Sequence, residues 1–446
     1  MTKPDRLVVL LGRTHDQALP PAEIAACADG LADLHFLVDP AESDMFSVAR
    51  SLAPTTPVDV SDRDACLGAV RHTGARVVGT FADQMCPLVA WLNARLNGDA
   101  DTEALWGRKD VQRQRLRAAG LSGVMSNRVS DGAALRTFAR QAGFPVVVKP
   151  TGGRGSREVW LLRQEADVVE FLATSGTGPR QELDDVFAEQ FIVGEPWAGP
   201  HRADYVSAEV FRPGGTEAAA LRFVTERLPS AWPFRETGSV LPSAIGPERQ
   251  ELLLTTAERA LDAMGARKGV FHVEIKPKSP VPEIIELNGR LGGWLARLVR
   301  YGTGESLGHL ALSCFLGHAQ GLTLRWDRCA LVLAFQAPAA AVAVTSAPTR
   351  REIRRMPGVV GVDEVSPEGT AVDWRKGTHS AVVTVWLTGD GHHELHERLV
   401  DLASFLFDRF TFVDADGREV QDSEWLERVS ISRSAAKWSL PPASPV

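Results

Sequence analysis

The stretch GVFHVEIKPKSPVPEIIELNGRLGG (269–293) sets Glu274, Glu286, Asn288 and Arg290 among apolar residues in a pattern suited to chemistry. Read as two strands, it alternates. His272, Glu274 and Lys276 point to one face and Phe271, Val273 and Ile275 to the other. After a Pro-rich turn, Glu286, Asn288 and Arg290 again share a face, with Ile285 and Leu287 opposite. A hairpin centred near Pro280 lays Glu274 beside Glu286, where opposed Cβ atoms stand about 4.5–5.5 Å apart and like charges are destabilising. Two arrangements resolve the conflict: one carboxyl stays protonated with a raised pKa, or a divalent cation sits between the pair. Asn288 adds a third oxygen of the hard type that Mg²⁺ accepts, an ion that usually takes one or two carboxylates together with substrate phosphates. Arg290 would bring a permanently charged fork to the same face, suited to phosphate. A solvated hairpin face is the competing interpretation.

A second motif precedes it. In FPVVVKPTGGRGSREVWLL a strand ends in Lys149, and Gly152, Gly153 and Gly155 crowd the turn before the next strand. Glycines let backbone N–H groups close around an anion. The turn is no Walker A loop, because no Gly-Lys-Ser/Thr follows and a strand comes next. Taken alone, it also fits a plain hairpin turn.

The elements around these motifs predict an α/β protein. Residues 7–11 and 34–38 read as buried strands with an Ala-rich helix, PAEIAACADGLADL, between them. ARVVGTFADQ followed by MCPLVAWLNARLN repeats the strand–helix order, which implies a parallel sheet covered by helices. No Gly-x-Gly-x-x-Gly follows the first strand, so nothing there supports dinucleotide binding. From Lys109 the text changes: a helix, RKDVQRQRLRAAG, leads into β-like stretches interrupted by helices such as ERQELLLTTAERALDAMG. Beyond residue 330 a further α/β lobe is expected, with AVVTVWLTG as a strand and HHELHERLVDLASFLFDRF as a helix. The expected division is an N-terminal α/β domain over 1–106, a central domain over 107–330, a C-terminal α/β lobe over 331–430 and a loose tail over 431–446.

Composition narrows the function classes. With 44% hydrophobic and 24% charged residues the chain is of ordinary globular make-up. A net charge of −7 without a Lys/Arg-dense run argues against nucleic-acid binding. The five cysteines show no CxxC spacing, and the apolar run Leu7–Leu11 is too short for a signal peptide. CALVLAFQAPAAAVAVTSAP carries Gln336 and Pro338 and reads as strands rather than a membrane span. A soluble, cytoplasmic protein is expected.

The order of Lys-ending strand, Gly-rich turn, acidic strand and EIIELNGRLGG resembles the ATP-grasp superfamily of carboxylate–amine ligases. With PFRETGSVLPS (233–243) and the C-terminal lobe included, the likeness covers most of the chain and is nearest to the L-amino acid ligase branch, which forms dipeptides. The resemblance implies a two-lobed ATP-grasp domain between the N-terminal domain and the C-terminal lobe, with a nucleotide held between two β-rich lobes. It places Lys109 and Lys149 at the phosphates and the adenine edge, and the turn Gly152, Gly153, Gly155 and Ser156 over the β/γ phosphates. The backbone of Glu189, Gln190, Phe191 and Ile192 would read adenine. Glu274, Glu286 and Asn288 match the ligands of Mg²⁺, with Mn²⁺ an alternative, and Arg290 matches the arginine that steadies an acyl phosphate.

Two departures stand out. VGEPWA sets Glu195 one position early and Pro196 where the family's ribose-binding acid is expected, and Ser239 stands where many ligases of this branch have histidine. The implied reaction joins a small carboxylate, an amino acid above all, to an amine through an acyl phosphate, with a homodimer left open as the assembly. Glu236 or a phosphate oxygen would serve as base, and His272 would touch substrate or brace the metal strand. Gly292 and Gly293 would let the chain turn sharply, so that Trp294 walls the substrate pocket or starts a helix. Alternatives are an ATP-grasp carboxylase or purine-pathway-type ligase, and a nucleotide-binding regulator without chemistry. His392 and His396, at i and i+4, lack a third metal ligand.

Overall fold

The computed structural model describes residues 5–13, 17–98, 103–153, 155–174, 182–214, 219–318 and 321–430; the expected tail over 431–446 lies outside them. The first sheet is parallel, in the order β3 (Thr55–Pro57), β2 (Ala32–Val38), β1 (Asp5–Leu11), β4 (Val77–Thr80). The first helix stops at Ala28, short of the sequence expectation. Gly30 takes φ +71°, and Ala32 to Leu34 already pair with β1. A left-handed residue ends a helix cheaply when it is glycine.

A second, antiparallel sheet has the order β5 (Ser126–Asp131), β8 (Glu182–Gln190), β6 (Val146–Pro150), β7 (Trp160–Leu162). Val146, Val148, Leu162 and Ala188 pack with Leu135 and Phe138 of the helix Gly132–Ala142 and Phe171 of the helix Glu165–Thr174.

The largest sheet has eight strands, in the order β13 (Glu283–Asn288), β12 (Lys268–Lys276), β9 (Val206–Pro213), β10 (Leu221–Arg227), β11 (Gly238–Leu241), β14 (Cys329–Gln336), β17 (Ala381–Gly389), β16 (Val359–Val365). β14 pairs with β11, so this sheet runs without a break across residue 330. A small sheet of β15 (Ala343–Ser346), β18 (Thr411–Val413) and β19 (Glu419–Val420) flanks it. On one side of the large sheet Ala208, Val210, Val224, Val273, Ile275 and Leu287 pack on Leu253, Ala257 and Leu261 of the helix Pro247–Ala263. The N-terminal sheet is tied in through the helix Leu307–Leu316: the Phe81 and Phe315 rings lie 5.6 Å apart, and a Cβ on Gly79 would stand 2.5 Å from Phe315.

β13 is an edge strand, and an unpaired edge invites association. Here side chains from the helix Lys109–Ala118 cover it. Gln112 both donates to Leu287 O and accepts from Leu287 N, while Arg113 donates to the carbonyls of Ile284 and Ile285. That helix is charged because its polar side chains serve as the next strand's partner.

Candidate active site

The hairpin β12–β13 forms in the expected register. Glu274 pairs with Glu286 and His272 with Asn288. One detail differs from strict alternation. The register shifts between Glu274 and Ile275, so Ile275 faces Ile284 and Ile285 is the extra residue. Such a bulge re-aims side chains. Ile284 goes to the core, whereas Ile285, expected there, lines a cavity beside Glu286.

The cavity, about 640 Å³, lies between the antiparallel four-stranded sheet and the polar face of the large one. Glu274, Glu286, Arg290 and His272 line it from the hairpin side, followed by Gly292, Gly293 and Trp294. Lys149, Gly153, Gly155, Ser156 and Glu189–Ile192 line it from the other, and Lys109 and Glu236 belong to its lining too. Two candidates stand just outside. Gly152 and Asn288 line a neighbouring cavity of about 150 Å³, which shares Asp83, Lys109, Gly153 and Glu286 with the main one. Asn288 Nδ2 donates to Glu286 Oε1 at 3.3 Å.

The two carboxylates are reconciled by a group the hairpin does not contain. Lys109 Nζ is 3.0 Å from Glu286 Oε2 and also donates to Gly153 O. Burial by itself would raise the Glu286 pKa, but the Lys109 and Lys149 ammoniums outweigh it and hold Glu286 well below the usual carboxylate range. The two ammoniums thus favour the ionised form of Glu286. Lys149 Nζ bonds Glu189 Oε1, whose other oxygen takes Arg113 at 3.0 Å. Glu189 is 3% exposed and its pKa is lowered, Lys149 and Arg113 overcoming the cost of burial. Its side chain thus braces Lys149 while its strand borders the cavity.

The turn after β6 needs its glycines unequally. Gly155 sits at φ +57°, and Ser156 and Glu158 also have positive φ. Gly292 is required by close approach, because a Cβ would lie 2.9 Å from His272 Nδ1 and 2.7 Å from Leu295 Cδ1. Around Gly293 there is open space. Trp294 caps the helix Leu295–Thr303, half-buried, lining the cavity and packing on the core at once.

His272 is almost fully buried. Nδ1 is 2.9 Å from both Glu209 oxygens, and Nε2 is 3.0 Å from Arg227 Nη2. An arginine can only donate, so the Arg227 contact calls for an accepting Nε2, whereas Glu209 overcomes the cost of burial and raises the His272 pKa, favouring the charged ring. Arg227 continues to Glu236 Oε1 at 3.0 Å, Ser239 Oγ at 3.2 Å and Ser207 Oγ at 3.1 Å. Ser239 is thus a partner of Arg227.

Sequence reasoning passed over Arg227, Lys276 and Asp83. Arg227 shares a strand face with Thr225, a signal that was available once β10 was recognised. Lys276 also lines the cavity. It pairs with Asp204 at 2.6 Å and lies over the Phe191 and Tyr205 rings. Asp83 follows β4, beyond the carboxyl end of a parallel strand, where ligand sites collect in open α/β sheets. Its Oδ1 is 3.4 Å from Arg290 Nε. Burial works against charge on Arg290, and Asp83 more than offsets it, raising the pKa. Glu195 turns away, accepting from Trp197 Nε1 and Ser279 N. The His396 and His201 rings lie 4.4 Å apart, tilted by 53°, and among the described residues no group of three His, Cys, Asp or Glu could hold a metal. No helix among them is long and apolar enough to cross a membrane.

Parallel N-terminal sheet, antiparallel lobe, large sheet and intervening cavity together define the ATP-grasp architecture. Residues 142–297 match the family model described as ATP-grasp domain, and the chain contains that domain. It is 26% identical over 199 residues to alanine–anticapsin ligase of Bacillus subtilis (strain 168), covering 42% of this chain and 41% of that protein. The chain spans about half or less of the length of the curated relatives it matches. Its fold is similar to an L-amino acid ligase from Bacillus licheniformis, with TM-score 0.69 at 19% identity over 93% of this chain and 100% of that one. It is also similar to N5-carboxyaminoimidazole ribonucleotide synthetase from Thermus thermophilus, with TM-score 0.62 at 18% identity over 90% and 98%.

Proposed function

We propose that the protein is an ATP-dependent ligase that forms an amide bond between a small carboxylate, an amino acid, and an amine. The observation that carries this reading is the direct pairing of Glu274 with Glu286 on the wall of a cavity that also holds Lys109, Lys149, Arg290 and a glycine-rich turn. A carboxylate resists attack by an amine because it would have to expel oxide. Phosphorylation by ATP turns that oxygen into a phosphate leaving group, and the protein need only position the reactants and balance charge.

The residues present fit a nucleotide and Mg²⁺. Val147, Phe191 and Ile192 offer an apolar stretch beside the phosphate-binding elements. Glu274, Glu286 and Asn288 supply oxygen donors of the type Mg²⁺ prefers, and Mn²⁺ accepts the same set. Bound there, the cation would neutralise phosphate charge. Lys109, Lys149 and the turn from Gly153 to Ser156 would hold phosphates, and Arg290, kept charged and aimed by Asp83, would steady the transferred group. Glu236 lines the cavity with one oxygen committed to Arg227, and its carboxylate would receive an amine or its proton.

The likeness of fold to a carboxyaminoimidazole ribonucleotide synthetase supports a second reading, a ligase that takes bicarbonate or a nucleotide precursor. A phosphate-release screen with Mg²⁺–ATP, pairing amino acids with one another and with bicarbonate, separates the two when products are weighed by mass spectrometry. Phosphate release with an amino acid pair, accompanied by a condensed product, supports the first. Release with bicarbonate alone supports the second.

A further inference from the structure

The glycine-rich turn is held by a segment from the far end of the chain. Thr378 N donates to Gly155 O at 2.9 Å. Gly377, just before it, has φ +64° and ψ −139°, and a Cβ there would stand 2.0 Å from Gly155 O and 2.8 Å from Arg157 N. Only glycine permits this approach. Trp160, where the chain leaves the turn, meets Trp374 edge-on with ring centroids 5.1 Å apart.

The same segment also bonds Glu236, another residue of the cavity wall. Glu236 N donates to Thr378 Oγ1 at 3.3 Å, and the buried Gln336 Nε2 donates to both Glu236 O and Thr378 O, at 2.9 and 3.1 Å. Ser380 Oγ, 2.8 Å from Gln336 Oε1 and from Gly377 O, fixes that carboxamide in turn. Glu236 leads on through Arg227 to His272. A continuous set of hydrogen bonds therefore joins the turn to Glu236, the proposed receiver of the amine.

We propose that Trp374–Ser380 is a latch that holds the glycine-rich turn over the nucleotide phosphates and ties that closure to the placement of Glu236, with Gly377, Thr378 and Trp374 as positioning residues. This rests on the nucleotide reading of the cavity. Opening the turn must break the Thr378–Gly155 bond and separate Trp160 from Trp374, which frees the segment that anchors Glu236. Nucleotide and amine substrate then favour each other's binding reciprocally.

The test uses the full-length protein and Mg²⁺ with a non-hydrolysable ATP analogue. Analogue binding to wild type, read by calorimetry, first establishes the nucleotide site; no binding overturns the functional reading itself. Given binding, hydrogen exchange should show residues 155–160 and 374–380 becoming protected together. In Gly377→Ala protection of 374–380 should be lost, and the KM for ATP and for the amine should both rise roughly tenfold, an ordinary coupling factor. Trp374→Ala, which leaves the backbone contact intact, should give a smaller rise in both, restored by Trp374→Phe. Unchanged KM values and joint protection in both variants would overturn the latch. So would a loss confined to kcat.

Discussion

Glu274 and Glu286 stand directly opposite one another in adjacent antiparallel strands, and the charge that makes this tolerable comes from Lys109 on a distant helix. This alters what removing a carboxylate should do. Glu286→Gln relieves the repulsion but takes from the half-buried Lys109 its nearest counter-charge. The variant should lose Mg²⁺-dependent turnover and be less stable by about 1–3 kcal/mol, the usual cost of a polar group shielded from water and left without its partner. Thermal melting with and without Mg²⁺ checks it. A higher melting temperature would show that repulsion outweighs the Lys109 pairing, and wild-type turnover would remove Glu286 from the metal site.

Lys149→Ala should weaken nucleotide binding by about 1.5–3 kcal/mol, the worth of a charge-assisted contact, with little effect on the carboxylate substrate. Calorimetry with ATP decides it.

The same lysine predicts a pH effect. Glu189 has a lowered pKa in the fold, so its contribution is fully present above the unfolded carboxylate value of about 4.3 and disappears as pH falls through the lower folded value. Lys149→Met raises the folded pKa toward that of the unfolded chain. Wild type should exceed the variant in stability near neutrality, with the gap closing below about pH 4 as both states bind the proton. A gap independent of pH in urea unfolding would mean that the pair acts through packing alone.

Asp83→Asn keeps the shape beside Arg290 and removes the charge that aims it. The KM for ATP should stay near wild type while kcat falls by roughly ten- to a hundredfold, as expected for losing a hydrogen bond to a charged group worth about 1.5–3 kcal/mol. Steady-state kinetics reads the split. A rise in the ATP KM without a change in kcat would place Asp83 at the nucleotide instead.

Trp294 both walls the cavity and packs on the core, so its truncation has two expected effects. Trp294→Ala should melt at lower temperature, leave the ATP KM unchanged and admit bulkier substrates, at roughly 1–3 kcal/mol of altered discrimination per methylene-sized step. A profile of substrates that does not change would make it a core residue alone.

Much of this site was legible because strands alternate. The faces of His272, Glu274 and Glu286 followed from spacing, and the hairpin register from the Pro-rich turn. Ile285 escaped because a bulge is a local defect in that alternation. Lys109, Asp83 and Arg227 reach the cavity from elements far apart in sequence, and no periodicity announces which distant helix or strand end will meet a given carboxylate. The latch at Gly377 was invisible for the same reason: its glycine answers to the backbone of Gly155, a neighbour made only by the fold.

The central claim is that a carboxylate oxygen is phosphorylated before the amine attacks. With a carboxylate–amine pair found by the phosphate-release screen, the carboxylate is labelled with ¹⁸O and the released phosphate is analysed by mass spectrometry. One ¹⁸O is expected in each phosphate formed with product. Phosphate that holds no label, released alongside a condensed product, would contradict it.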